Sequence, residues 1–240
     1  MTVLLDTAYM PPVEYFAAAA SGIAVSGPGQ GNAGGGEPSA LLVEACGTYQ
    51  KQSYRNRCHI LSASGKCALS FPVVHSRDGE KIPIKEVKVD YSVPWTRQHR
   101  RAIESAYGSS AYFEYYRDSL FAILDSRPDT LWELNRALLI FFMKSFGIPA
   151  EIRDTDSFVR PDGVCPDGVW AGLPFAGSVG AADLRDAIHP KRPNDILSRT
   201  DAEKPYFQVF SGKYGFVSNL SALDLLFNEG PDGLFSLMRG

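Results

Sequence analysis

The sequence predicts an α/β fold in which a mixed or mainly parallel sheet is followed by a layer of helices. Two observations support this prediction. A short apolar strand, a helix and a β-branched segment follow one another at the amino terminus, which is the order of a β-α-β unit. From residue 94 onward, apolar residues recur at three- and four-residue intervals, as they do in amphipathic helices.

The β-α-β opening occupies the first 25 residues. Residues 2–5 form an apolar run of strand length, and two prolines precede residues 13–20, consistent with a helix start because proline is tolerated in a first turn. Gly22 ends the predicted helix, and residues 23–25 are short and β-branched enough to form the next strand.

A glycine-rich segment follows this opening. Residues 26–38 contain six glycines and two prolines, with hardly any apolar side chains, so we expect a mobile loop or insertion that adds nothing to the core. The segment lacks the GxxxxGK[ST] pattern of a phosphate-binding loop. We expect an α/β portion over residues 1–92 and a helical and mixed portion over residues 93–240, both packed on one core.

The remaining elements follow from periodicity and turn residues. Apolar segments punctuated by glycine and serine turns predict strands over residues 41–45, 57–62, 67–73 and 87–90. Helical spacing predicts helices over residues 94–107, 111–124, 131–146 and 219–228. Residues 158–180 are rich in glycine, proline and aspartate, which is typical of a long irregular excursion.

Composition excludes several classes of protein. A formal net charge of −3 and an isoelectric point near 5.8 argue against a nucleic-acid binder, which neutralises phosphates with Lys and Arg. No basic residue precedes the first apolar stretch and no apolar run is long enough to span a bilayer, so we expect a cytoplasmic protein that does not span a membrane.

The cysteines and histidines do not suggest a metal site. Cys46, Cys58, Cys67 and Cys165 form no CxxC pair, and an HExxH motif is absent from the sequence. Isolated buried thiols are the simplest interpretation. We therefore predict neither a metal nor a cofactor.

The first candidate site is the basic loop, residues 49–57 (YQKQSYRNR). It contains three cations, two aromatic rings and three side-chain amides. Such groups donate bidentate hydrogen bonds to a phosphate or carboxylate and stack on a ring. The substrate-binding residues predicted here are Gln50, Lys51, Tyr54, Arg55, Asn56 and Arg57. A solvated loop between strands explains the composition equally well.

The second candidate site is the start of the helix predicted from residue 94. Trp95 and His99 are four residues apart and so share one helix face, at an end that favours anions. His99 could then exchange protons near neutral pH while Trp95 stacks on a ring. The alternative is a surface histidine on an amphipathic helix whose tryptophan packs into the core.

The third candidate site includes the catalytic pair Asp186 and His189, with Lys191 as a substrate contact. The pair would share a face if this piece were helical, and the carboxylate would orient the imidazole. A capped helix end with basic residues after it is an equally good explanation. Three further carboxylates near element ends could lie in a cleft where parallel strands end; these are Asp6, Glu14 and Asp224.

Several separated motifs, in one order along nearly the whole chain, resemble those of the WbqC-like protein family. They are Tyr9 with Pro11 and Pro12, Tyr15 with Phe16, residues 49–57, Trp95 with His99, residues 112–116, residues 183–191, Gln208 and residues 219–230. The resemblance implies a role in bacterial cell-surface polysaccharide biosynthesis, such as that of O-antigen. It implies no catalytic residues.

Together, the resemblance and the candidate residues lead to the hypothesis of a transferase-type enzyme that binds a small anionic substrate, an activated sugar or acyl donor. The cations of the basic loop would hold phosphate, and His99 would exchange a proton with the acceptor. A cleft joining the basic loop to His99 is then expected.

Two other functions remain open. A non-catalytic assembly protein of the same pathway could use aromatic anchors at Tyr112, Phe113, Tyr115 and Tyr116, although core packing also explains these rings. Nucleotide binding without chemistry is the third possibility.

Overall fold

The computed structural model of the protein describes residues 2–21, 40–75, 80–159 and 181–239. In chain order, its elements are β1 (Thr2–Asp6), α1 (Val13–Ser21), β2 (Ala40–Glu44), β3 (Arg57–Ser62), β4 (Gly65–Ser70), α2 (Trp95–Tyr107), α3 (Phe113–Asp125), α4 (Leu131–Ser145), β5 (Ile152–Asp154), β6 (Ala181–Asp183), α5 (Ile196–Arg199), α6 (Ser211–Tyr214), α7 (Ala222–Glu229) and α8 (Gly233–Met238). Two 3₁₀ turns, Tyr54–Asn56 and Ile84–Glu86, complete the set.

Four parallel strands form the main sheet, in the order β5-β2-β1-β6. In the register, Asp6 lies opposite Glu44, and Leu4 lies opposite Asp183. Because the strands are parallel, their carboxyl ends meet at one edge of the sheet, where open α/β folds bind ligands. The α/β class and the parallel sheet predicted from sequence are confirmed.

The two central strands explain why the sheet is buried. Residues 3–5 of β1 and 41–43 of β2 are apolar without alternation, and all six are almost fully buried. Continuous apolar runs are typical of parallel strands covered on both faces. The sequence therefore places β1 and β2 in the interior, and each strand ends in a carboxylate at the carboxyl edge, Asp6 and Glu44.

A separate antiparallel hairpin, β3-β4, follows the basic loop. Arg57 pairs with Ser70 at its open end, and Ser62 pairs with Gly65 at its turn. Gly65 has a φ of +102°, which disfavours any residue with a Cβ.

Helices α2, α3 and α4 confirm the helices predicted at these positions. The start of α4 is fixed by a capping box, because the Thr130 hydroxyl accepts from the Glu133 N–H and the Glu133 carboxylate accepts from the Thr130 N–H. One buried apolar cluster takes in residues from both halves of the chain, including Phe16 of α1 and Phe142 of α4, whose rings are 5.2 Å apart. The division at residue 92 stays a prediction.

Several predicted elements need correction. Residues 87–90 form isolated bridges, Val89 to Val73 and Lys88 to Thr130, rather than a strand, because the backbone there meets a neighbour at single points. The strand predicted over residues 67–73 starts earlier, at Gly65, and ends at Ser70. The strand at residues 23–25, the glycine-rich segment at 26–38 and most of the excursion at 158–180 lie outside the described residues.

Within the described ranges, no helix is both long and apolar enough to cross a membrane.

Candidate functional site

A small pocket opens at the carboxyl edge of the parallel sheet, and we call it the Asp6 pocket. Its lining includes Asp6, Tyr15, Gln50, Tyr54, Arg55, Arg185, Asp186 and His189. The cavity volume is about 10 Å³, which is enough for one water-sized group. The pocket therefore has room for a single reacting hydroxyl or amine, and the body of any substrate must lie outside it.

Asp6 is the central group of this pocket. Its Oδ2 lies 2.8 Å from the Arg55 guanidinium, and 22% of its side chain is exposed. Burial raises the pKa of Asp6 to about 6, and the neighbouring arginines, Arg55 and Arg185, only partly offset this. In the described part of the chain, Oδ1 has no hydrogen-bond partner, so it remains available to take a proton from a ligand.

Local structure of the basic loop fixes Arg55 beside Asp6. The Ser53 hydroxyl caps the Tyr54–Asn56 turn by accepting from the Arg55 N–H. The Arg55 carbonyl accepts from the Asn135 amide of α4 at 2.8 Å. The guanidinium also donates through Nη1 to the Gln50 side-chain oxygen, Oε1, at 3.4 Å. Arg55 is thus held on three sides and presents its charge to Asp6.

A second arginine braces the edge of the sheet. Arg185 donates through Nη1 to Glu44 at 2.6 Å and through Nε and Nη2 to the Asp183 carboxylate. Glu44 is 2% exposed and also accepts from the Cys46 N–H, the Thr155 hydroxyl and the Val159 N–H. Four donors satisfy this buried carboxylate, which ties the segments after β2, β5 and β6 together.

His189 enters the pocket with a defined tautomer. Its Nδ1 accepts from the Lys191 N–H at 3.1 Å. A neutral imidazole must then carry its proton on Nε2. Burial, reinforced by Arg192 and Arg55, lowers the pKa of His189, which keeps the ring neutral. His189 can therefore donate a hydrogen bond through Nε2, but that nitrogen is not free to act as a base.

A wider groove adjoins the pocket, and we call it the cationic groove. Three exposed cations line it, Lys66, Lys191 and Arg192, together with Glu14, Asn194, Glu203 and Asn219. Its volume of about 430 Å³ suits a small molecule. Tyr54 and His189 line both spaces, so the groove and the pocket meet at these two side chains.

The structure brings part of the sequence-predicted site together. Gln50, Tyr54, Arg55, Asp186 and His189 line the Asp6 pocket. Lys191 lines the groove, and its ammonium donates to Gln52 of the basic loop. Gln52 has a φ of +59°, a left-handed conformation that is uncommon for a residue with a side chain.

Three other residues of the basic loop line neither space. Lys51 is exposed, Asn56 donates to the Phe71 carbonyl at 2.7 Å, and Arg57 begins β3. Asn56 therefore has a structural contact that accounts for it.

Trp95 and His99 lie in the core, apart from the Asp6 pocket. Trp95 is 2% exposed and stacks on Phe71 and Tyr91. His99 Nε2 lies 3.3 Å from the Ser70 carbonyl, which can only accept, so Nε2 is protonated and Nδ1 accepts from the Tyr9 hydroxyl at 2.8 Å. Burial lowers the pKa of His99 to about 4. The cleft expected between the basic loop and His99 is therefore not formed. The Asp6 pocket and the cationic groove instead connect the basic loop to His189.

The pairing expected between Asp186 and His189 is not formed. Residues 184–190 turn instead of forming a helix, so the assumed i, i+3 alignment is lost. The Asp186 carboxylate lies 3.3 Å from Arg192, and both side chains are largely exposed. Asp186 reaches the pocket as a lining residue without orienting the imidazole.

Sequence reasoning missed Glu44, Arg185 and Tyr15 as parts of this site. Glu44 and Arg185 lie 141 positions apart, and only the sheet order brings them together. A polar residue at the end of an apolar strand was the available signal, and it had drawn attention to Asp6 alone.

An all-parallel main sheet with a pocket at its carboxyl edge defines an α/β protein whose candidate site lies where such folds bind ligands. Within that class, the WbqC-like protein family matches residues 39–164, so the chain belongs to this family. The match covers the basic loop, whereas Asp6, Arg185 and His189 lie outside it. Comparisons with curated proteins and with solved structures gave no match.

In the parts of the chain that the structure describes, no three His, Cys, Asp or Glu side chains are grouped so that they could hold a metal ion.

Proposed function

We propose that the protein is a transferase-type enzyme that binds an anionic, phosphate-activated donor in the cationic groove and activates an acceptor in the Asp6 pocket. One observation carries the proposal. A partly buried carboxyl with a free oxygen lies at the carboxyl edge of the sheet, and the groove beside it has three exposed cations.

The size of the two spaces supports this division. The pocket admits only a reacting group, whereas the groove has the volume of a ligand site. Donor and acceptor would meet where Tyr54 and His189 line both spaces, which provides the proximity that group transfer needs.

The pKa of Asp6, raised to about 6 by burial, suits a general base working near neutral pH. In the proposed step, Asp6 Oδ1 takes the proton of an acceptor hydroxyl, and the acceptor oxygen forms a bond to the transferred group. The bond from that group to the donor phosphate breaks, and the phosphate leaves with the electron pair. Lys191, Arg192 and the Nε2–H of His189 would stabilise its charge.

The family resemblance supplies the biological setting of the proposal, which is biosynthesis of cell-surface polysaccharide. Residue chemistry alone does not specify a sugar polymer. A cytoplasmic location belongs to the same proposal.

A non-catalytic assembly function rests on a different observation. Of the four aromatic residues considered for an interface, Phe113 and Tyr116 are buried, whereas Tyr112 is 38% and Tyr115 78% exposed. These two exposed rings would be the anchors of such a surface.

A thermal-shift screen against nucleotides, nucleotide sugars, sugar phosphates and acyl-CoA compounds tests the enzyme proposal. A donor at a hundred times its dissociation constant should stabilise the protein by about 2.7 kcal/mol. Lys191→Ala should weaken the response, and Lys88→Ala, which removes an exposed lysine outside both spaces, should not.

If no compound in the panel stabilised the protein, the donor site would be rejected and the assembly function favoured. A shift that both lysine variants retain would place the ligand elsewhere on the protein.

A further inference from the structure

A buried carboxylate oxygen without a hydrogen-bond donor lies in the wall of the cationic groove. Glu14, in the first turn of α1, is 2% exposed and lines the groove. Its Oε2 accepts from the Asn194 amide at 2.9 Å, but its Oε1 is buried with no partner. An unpaired buried acceptor is costly, so its retention calls for an explanation.

The surroundings hold Glu14 in place. Its backbone N–H donates to the Asn219 side-chain oxygen at 3.2 Å, and Asn219 has a φ of +55°. Burial raises the pKa of Glu14, and the hydrogen bond from Asn194 and the charge of Lys66 partly offset this rise. Glu14 is thus held in place with Oε1 left unpaired in the wall of the groove.

The groove itself indicates which donor would satisfy Oε1. An ammonium group would meet repulsion from Lys66, Lys191 and Arg192, which line the same space. A neutral hydroxyl has no such penalty. Oε1 is buried, so a hydroxyl reaches it when neighbouring side chains move aside.

We propose that the groove binds a phosphorylated polyol, with one hydroxyl donating to Glu14 Oε1 and the phosphate lying against Lys66, Lys191 and Arg192. The phosphate part rests on the proposed function, and the polyol part adds to it. Glu14 becomes a specificity-determining residue that selects a sugar-bearing donor over an acyl donor lacking a hydroxyl near its phosphate.

Binding measurements on the full chain test this assignment. Calorimetric titrations would compare inorganic phosphate and pyrophosphate with glucose 1-phosphate, ribose 5-phosphate and UDP-glucose. The informative variant is Glu14→Gln, because its amide oxygen can keep the bond to Asn194 while its NH₂ replaces the free acceptor with a donor.

At least one polyol phosphate should bind the wild-type protein more tightly than inorganic phosphate does. Its affinity should fall by about tenfold or more in Glu14→Gln, the loss expected for a hydrogen bond to a charged group. Inorganic phosphate should bind the variant at least as well. Glu104→Gln is the matched control, since it removes the same charge from an exposed position on α2 outside both spaces and should not lower polyol affinity.

The two proposals fail in different ways. If phosphate binds through Lys191 but no polyol phosphate binds more tightly, or Glu14→Gln leaves polyol affinity unchanged, the polyol assignment is overturned and the anion site stands. If no phosphorylated compound binds, both are overturned.

Discussion

Asp6 and Asp224 are two carboxyls with the same perturbation in very different surroundings. Burial raises the pKa of each to about 6. Asp224, in α7, is 1% exposed, and its Oδ2 accepts from the Tyr206 hydroxyl at 2.8 Å and the Gln208 amide at 2.9 Å. Asp6 is partly exposed and keeps a free oxygen beside a cavity.

The difference shows that a raised pKa does not identify a reacting group by itself. Gln208 is fully buried, and its amide group donates to the Val217 carbonyl and accepts from the Val217 N–H. The Asp224 cluster therefore fastens a loop to the core, away from both the pocket and the groove. At Asp6, one carboxylate oxygen is paired with Arg55, and the other faces the Asp6 pocket, which has space for a ligand group. Access to substrate, rather than the pKa, separates a candidate base from a structural carboxyl.

The largest expected effect is on turnover. Asp6→Asn should retain donor binding but lower kcat by about 10²- to 10⁴-fold, because the amide cannot accept the proton of the acceptor. Steady-state kinetics on a donor found by the binding screen would measure this. Asp224→Asn is the matched control and should keep kcat within a few-fold of wild type. Equal losses in the two variants would remove the distinction between the two carboxyls.

The next effect is on stability. Asp224→Leu should lower the free energy of unfolding by about 3 kcal/mol, because it leaves the Tyr206 hydroxyl and one N–H of the buried Gln208 amide without an acceptor. Tyr206→Phe removes only one donor and should cost about 1 kcal/mol. Urea unfolding would measure both. A loss below 1 kcal/mol in Asp224→Leu would show that the Asp224 cluster does not fasten this region.

The smallest effect is on the pH dependence of stability. The pKa of Asp6 is about 6 in the fold against an ordinary 3.8, so its protonation stabilises the fold fully below pH 3.8 and this contribution is lost as pH rises through 6. The Asp6→Asn variant has no carboxyl at this position, so it does not lose stability in this way as pH rises. Its unfolding free energy relative to wild type should therefore rise between pH 4 and 7, by about 1–3 kcal/mol. Urea unfolding at several pH values would measure the difference in unfolding free energy between the variant and wild type. A difference that does not change with pH would contradict the burial of Asp6.

Elements with strong local signals were predictable. The capping residues and helical spacing of α4 lie in adjacent sequence, and β3 was predicted with its observed ends. Strands β5 and β6 have three residues each, too few for a recognisable pattern, and they owe their existence to pairing with β2 and β1.

The grouping of candidate residues was predictable where chain neighbours lie together and unpredictable where burial decides. The basic loop contributes Gln50, Tyr54 and Arg55 to one pocket because the Tyr54–Asn56 turn holds them locally. Trp95 and His99 do share a helix face, but spacing cannot tell whether that face meets solvent or core. Here it meets the core.

The hydrogen bonds of Glu44 also determine the order in which parts of the fold can form during synthesis. Its partners Thr155, Val159 and Arg185 lie 111, 115 and 141 positions later in the chain. During synthesis, the residues that match the family, 39–164, emerge before Arg185 can close the edge of the sheet. The basic loop and its hairpin can thus form early, whereas the pocket is completed only when the last quarter of the chain has left the ribosome.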